Sequence, residues 1–154
     1  MKEIVFCTHN AHKLQEVKEI LSSKIHFLSL SDIDYKVEIP EPYETLEENA
    51  YTKANTVRLF CGKNCFAEDS GLFVNALNGA PGVYSARYAG SPVDNNKNIE
   101  KLLHNMQGIV NRNAYFKTVI AFVNNSDVHY MEGICKGTIT LYPLGNNGFG
   151  YDSV

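Results

Sequence analysis

The longest uninterrupted strand signal in the chain covers residues 114–123, ten positions dominated by aromatic and β-branched side chains. Asn124-Asn125 then reads as a hairpin turn into a second strand signal over residues 129–135. A chain carrying such a pair must build around a sheet, and the remaining segments are read as its further strands and its cover. Lys136-Gly137 follows, with another strand expected around residues 138–141.

The N-terminal half alternates strand and helix signals. Ile4-Val5-Phe6-Cys7 is a short apolar run that stops at Thr8-His9-Asn10. From Lys13 the period changes, and Leu14, Val17, Ile20 and Leu21 fall on one helical face. Residues 25–30 give a second strand, and residues 32–43 a loop stiffened by Pro40 and Pro42. Thr45-Leu46-Glu47-Glu48 has capping-box spacing, with Thr45 at N-cap and Glu48 at N3. The helix it starts turns Ala50, Ala54 and Val57 inward and is expected to reach Phe60. Cys65-Phe66-Ala67 is a short strand delivering Glu68-Asp69-Ser70, and Asn78-Gly79-Ala80-Pro81-Gly82 is a turn. Residues 94–106 form a third helix with Ile99, Leu102, Leu103 and Met106 on one side.

A length of 154 residues fits one domain with one core. The last residues leave a glycine-rich loop, whereas a domain normally closes on a packed helix or strand; residues 1–154 therefore read as a single domain lacking its C-terminal elements. A net charge of −3 excludes a surface-wide footprint for nucleic acid but leaves room for a local anion pocket. No apolar stretch is long enough to cross a membrane, and the run after Met1-Lys2-Glu3 is too short for a signal peptide, so a cytoplasmic protein is expected. Cys7, Cys61, Cys65 and Cys135 contain no C-x-x-C pair; buried structural thiols are expected rather than disulfides or a zinc site.

Several residues carry chemistry that their local context leaves open. Thr8-His9-Asn10-Ala11-His12-Lys13 offers donors at a strand-to-helix junction, where a helix N-terminus attracts anions, but Thr8 and Asn10 also suit a simple helix cap with Lys13 solvated. His9 and His12 lack the i, i+4 spacing of helical metal ligands and read as solvated. Glu41, held between two prolines, and the Glu68-Asp69 pair have the hard oxygens that Mg²⁺ prefers, while Asp69 alone fits equally well as a turn cap. Lys53 has no acidic partner on its own helical face, so it is either solvated or a phosphate contact. Arg87 reads as a phosphate fork or a structural ion pair. Phe149 and Tyr151, flanking Gly150 near Asp152, can stack and hydrogen-bond a purine or simply pack a loop.

Taken together these motifs resemble one family. Thr8-x-Asn10-x-x-Lys13, Glu48-Asn49-Ala50 with Lys53-Ala54, Glu68-Asp69-Ser70-Gly71-Leu72, the block from Gly79 to Tyr88, and Gly148-Phe149-Gly150-Tyr151-Asp152 are similar, in order, to motifs of the inosine triphosphate pyrophosphatase family. The resemblance implies an α/β fold, an elongated mixed sheet flanked by helices, with two lobes and the active-site cleft between them. It implies Mg²⁺-dependent hydrolysis of non-standard purine nucleoside triphosphates (ITP, dITP, XTP) to monophosphate and pyrophosphate, in a homodimer without nucleic-acid or membrane partners. Carried over by position, Asp69 is the general base, Lys53 a second catalytic residue, and Glu41 and Asp69 the metal ligands. Thr8, Asn10, Lys13, Lys53 and Ser70 hold the triphosphate, Phe149 and Asp152 lie at the base, and His9, Ala11, His12, Gly150 and Tyr151 belong to the same substrate-binding segments.

The chain also departs from the family pattern. Ser153 stands where the family has proline, the lysine and Ser-His-Arg segment that follow there are absent, and His12 replaces a common glycine. Neither Phe149 nor Asp152 is a good donor for a purine O6. Two rival readings remain, a related pyrophosphatase for modified pyrimidine nucleotides and a non-catalytic nucleotide-binding module.

Overall fold

The computed structural model describes residues 3–21 and 25–154; the Met1-Lys2 lead-in lies outside them. The strands are β1 (Ile4–Phe6), β2 (Phe27–Leu28), β3 (Asn64–Val74), β4 (Pro81–Gly82), β5 (Asn113–Val123) and β6 (Val128–Thr138). The helices are α1 (Ala11–Leu21), α2 (Leu46–Cys61) and α3 (Asn95–Asn105). One sheet holds all these strands in the order β2-β1-β3-β5-β6, with β4 paired to β3. β1 runs parallel to both neighbours, Val5 opposite Leu28 and Cys65, whereas β4 is antiparallel to β3, Leu72 opposite Gly82. The sheet is therefore mixed, as the family resemblance implies.

The chain divides into two compact units, and β3, β5 and β6 each run from one into the other. The first comprises the chain up to Asp69 together with Val119–Glu132. Its core gathers Val5, Cys7, Leu30, Tyr35, Ile39, Ala54, Val57, Cys65, Ala67 and Val123. α2 contributes to it as the heptad-like spacing predicts: Ala50, Ala54 and Val57 are fully buried. Thr45 caps α2 by accepting from the Glu48 N–H at 3.2 Å, and its hydroxyl donates to Glu48 Oε2 at 2.7 Å. Gly62 ends the helix in the left-handed region, at φ 66°, with its N–H on the Arg58 carbonyl.

The second unit, Ser70–Thr118 with Gly133–Val154, packs Leu72, Val74, Leu102, Met106, Ala114, Ile139 and Tyr151. Asp94 caps α3 through the Lys97 N–H, and Leu102 and Met106 face inward as the periodicity requires. Arg112 ties the unit together, donating to the carbonyls of Met106, Ile139 and Thr140 at 2.7–2.8 Å.

The structure corrects several boundaries. β3 is one strand of 11 residues rather than a short run ending at Ala67, so Glu68 and Asp69 lie within a strand. The close approach of β4 to this strand depends on Gly71: a Cβ there would meet the Gly82 carbonyl oxygen at 2.4 Å. β6 passes through Lys136-Gly137 and ends at Thr138, absorbing the start of the strand expected at 138–141. That strand lies at the end of the sheet order and is exposed throughout, where a glycine loses no packing. The strand expected at 25–30 shrinks to Phe27–Leu28 because a 3₁₀ turn at Ser31–Ile33 takes over. Ile20, placed on the inner face of α1, is 70% exposed. Cys135 is exposed on β6 and Cys61 half-buried, so only Cys7 and Cys65 meet the expectation of buried thiols.

Candidate active site

The first unit assembles a buried polar cluster from α2, β3 and the proline-flanked loop. On α2, Asn49 and Lys53 are one turn apart and share the inward face with Ala50, Ala54 and Val57. On β3 the two-residue alternation puts Asp69 on the same face as Cys65 and Ala67, which pack in the core with Ala54 and Val57, and turns Glu68 to the other face. Lys53 Nζ lies 2.5 Å from Glu41 Oε1 and 3.7 Å from Asp69 Oδ1. The Lys53 and Asp69 side chains are each only 10% exposed, and Glu41 is 34% exposed. Asn49 Nδ2 donates to Asp69 Oδ2 at 3.1 Å and to the Tyr43 carbonyl at 3.1 Å, while its Oδ1 accepts from the Tyr43 N–H at 3.0 Å. One buried amide thus orients the carboxylate and pins the loop that follows Glu41.

The electrostatics of the lysine–aspartate pair are unequal. Burial works against a charged Lys53, yet the carboxylates of Glu41, Asp69 and Glu68 outweigh it and raise the ammonium's pKa. Asp69 is pushed up to about 6, mainly by burial and further by repulsion from Glu41, against the lowering effects of Lys53 and the Asn49 amide. The lysine is therefore a fixed cation, and the aspartate a carboxylate poised to exchange a proton near neutral pH.

The strand-to-helix junction resolves in two directions. Asn10 Oδ1 accepts from the N–H groups of His12 and Lys13 at 3.0 and 3.2 Å, and Thr8 Oγ1 accepts from the Asn10 N–H at 3.1 Å. Asn10 therefore caps α1, whereas Thr8 bonds only the N–H of that capping residue, ahead of the helix. Lys13, however, is not solvated: its Nζ pairs with Glu68 Oε1 at 2.6 Å. His9 Nε2 is 2.9 Å from the Val37 carbonyl oxygen, and Ala11 and His12 are exposed on the first turn. The solvated alternative for Lys53 and the turn-cap alternative for Asp69 are both excluded, the first by burial and ion pairing, the second because Asp69 lies inside β3.

The other candidates lie in the second unit. Ser70 Oγ is 2.7 Å from Thr118 Oγ1. Arg87 lies over the Tyr84 ring, 5.1 Å from its centroid, and takes part in none of the ion pairs among the described residues. Phe149 precedes a 3₁₀ turn, Gly150–Ser153, and its N–H donates to Asp152 Oδ2 at 3.0 Å. Tyr151 is buried, its hydroxyl donating to the Ser85 carbonyl at 2.8 Å. Tyr151 and Asp152 help line a cavity of about 310 Å³ with Leu72, Phe116 and Ile139.

Sequence reasoning missed Asn49 as a site residue. In the sequence it stands only within the Glu48-Asn49-Ala50 motif, with no role attached; the usable signal is an amide four residues before Lys53 on the buried face of a helix. It also missed Glu68's partner, since nothing local links it to Lys13.

This is a mixed α/β protein whose helix-borne lysine lies between a strand-borne aspartate and a loop glutamate, a centre that holds a cation among hard carboxylate oxygens. The chain belongs to the Ham1 family, whose sequence profile matches residues 4–154. A dITP/XTP pyrophosphatase of Flavobacterium psychrophilum is 47% identical over 152 residues, 99% of this chain and 80% of that protein. The dITP/XTP pyrophosphatase of Porphyromonas gingivalis is 44% identical over 155 residues, 100% of this chain and 80% of its own length. A HAM1 protein from Coxiella burnetii superposes with a TM-score of 0.90 at 37% identity, covering 100% of this chain and 81% of that one.

Proposed function

We propose that this chain hydrolyses non-standard purine nucleoside triphosphates of the dITP, XTP and ITP type to the monophosphate and pyrophosphate. The observation that carries the reading is the cluster of Lys53, Glu41, Asp69 and Asn49, in a chain whose relatives are named dITP/XTP pyrophosphatases. Asp69 accepts a proton from the attacking water as its oxygen bonds to the α-phosphorus, and the pyrophosphate group leaves with the electrons of the broken P–O bond. The ammonium groups of Lys53 and Lys13 offset negative charge on the phosphates, and Asn49 holds Asp69 in orientation.

The donor set fits Mg²⁺. Among the described residues no group of three or more His, Cys, Asp or Glu side chains forms a closed metal cage. Glu41 and Asp69 supply two hard carboxylates around one cation, which is what Mg²⁺ uses when substrate phosphates and water complete its shell. When bound there, Mg²⁺ supplies charge neutralisation and orients the phosphates. Phosphate contacts by Thr8, Asn10 and Ser70, base contacts by Phe149 and Asp152, a homodimer and a cytoplasmic location rest on the family resemblance and belong to the same proposal.

The decisive experiment measures pyrophosphate release from ITP, dITP, XTP, ATP, GTP and a modified-pyrimidine triphosphate with Mg²⁺, for this chain and for Asp69→Asn. Preference for ITP and XTP, with loss of turnover in the variant, is expected. Equal activity in the variant removes the role of Asp69, and binding of ITP without turnover identifies a nucleotide-binding module instead.

A further inference from the structure

We propose that Cys61 and Cys65 are a peroxide-sensitive dithiol that closes an intramolecular disulfide between the end of α2 and the start of β3. The two sulfurs lie 3.8 Å apart, brought face to face by the left-handed turn at Gly62. Closing the bond needs an approach of about 1.8 Å to the usual S–S length. Cys61 is half-buried and within reach of a small oxidant, whereas Cys65 is buried and its S–H points to the Lys63 carbonyl at 3.5 Å. One turn before Cys61 on α2, the guanidinium of Arg58 bonds to Asn125 through Nη2, and its buried Nε has no hydrogen-bond partner. The charge of Arg58 acts on Cys65 and favours its thiolate.

Exposure selects Cys61 as the sulfur a peroxide reaches first, and acidity suits Cys65 to the second step. Burial raises the Cys61 pKa, while Cys65 is lowered, first by a hydrogen bond from Cys7 and then, against its own burial, by contact with Cys61 and the charge of Arg58. Cys61, the more exposed of the two sulfurs, attacks one peroxide oxygen in its thiolate form, its proton having passed to solvent; the O–O bond breaks, hydroxide leaves and takes up a proton to become water, and Cys61 becomes a sulfenic acid. The Cys65 thiolate then attacks that sulfur, the S–O bond breaks, and the departing hydroxide takes the proton Cys65 has lost. Each thiol sulfur gives up one electron, and hydrogen peroxide is reduced to two waters.

The test treats the whole protein with hydrogen peroxide at pH 8.5, alkylates the remaining thiols, and maps the peptides by mass spectrometry. The expected product is a Cys61–Cys65 loop lighter by two hydrogens, reversed by dithiothreitol and retained in Cys135→Ser. In Cys65→Ala, a dimedone adduct on Cys61 is expected, a readout that does not depend on the disulfide. Arg58→Gln is expected to slow disulfide formation roughly threefold to tenfold while leaving the alkylation rate of the exposed Cys135 unchanged. Full alkylation of both Cys61 and Cys65 after peroxide treatment, or a bridge that uses Cys135, overturns the proposal. Absence of the dimedone adduct overturns the assignment of Cys61 as the first sulfur oxidised, and an unchanged rate in Arg58→Gln overturns the role of the guanidinium.

Discussion

The side-chain amide of Asn49 donates to Asp69 Oδ2 at 3.1 Å across 20 residues of chain, and both groups are buried. Because the same amide also holds the Tyr43 backbone at both its N–H and its carbonyl, Asn49→Ala removes three hydrogen bonds at once. A stability loss of about 2–3 kcal/mol in urea denaturation is expected, since buried partners are left unpaired. Pyrophosphate release is expected to fall roughly tenfold or more, because the base loses its orienting donor.

Lys53→Met keeps the length of the side chain and deletes the charge that faces Glu41 and Asp69. Leaving a buried carboxylate without its cation is costly, but Glu41 is 34% exposed, so solvent screening limits the expected destabilisation to about 1–2 kcal/mol. Turnover is expected to drop roughly a hundredfold or more, as one cation facing the phosphates is lost. Lys53→Arg should not rescue it, because the planar fork does not fit a space made for an ammonium.

A pH-dependent contribution to stability is expected from Asp32. Its carboxylate accepts from the Ser29 hydroxyl and the Ser29 N–H, each at 2.7 Å, and the first of these bonds is the main reason its pKa is lowered. A lowered carboxylate stabilises the fold above its unfolded pKa of about 4 and loses that contribution as pH falls through the lower, folded value. Asp32→Ala should therefore lower Tm by about 2 °C at pH 7, and the difference should shrink as the pH is taken below 4. Parallel thermal melts of both proteins across that range check it.

In the second unit, Gly71→Ala places a methyl group 2.4 Å from the Gly82 carbonyl oxygen, and that neighbour is backbone. Separation of β4 from β3 and a loss of roughly 2–4 kcal/mol are expected. Hydrogen exchange should report it as faster exchange at Leu72 and Val74, whose N–H groups bond to Ser85 Oγ and the Ala80 carbonyl. Arg112→Ala is expected to cost about 2–3 kcal/mol by freeing the carbonyls of Met106, Ile139 and Thr140.

The amino-acid sequence alone determined the local elements whose causes are local. The Thr45/Glu48 spacing starts α2, Asp94 starts α3, the apolar periods of α2 and α3 select their buried faces, and the run of aromatic and β-branched residues at 114–123 lies in a strand. Those causes act within a turn or a few residues, so they survive without knowledge of the fold. Boundaries that depend on a neighbour were not legible: β3 runs on past Asp69 beside β5 and pairs with β4 at Leu72 and Phe73, and β2 stops at Leu28 because a 3₁₀ turn follows.

The residues of the candidate site were visible in the sequence as types, but their pairing was decided by the tertiary structure. Lys53 has no acidic partner along its own helix, and only the fold brings Glu41 and Asp69 to it. Lys13 meets Glu68, and Asn49 meets Asp69, for the same reason: a side chain's charge state and role follow from groups within a few ångströms, and those groups are distant in the chain.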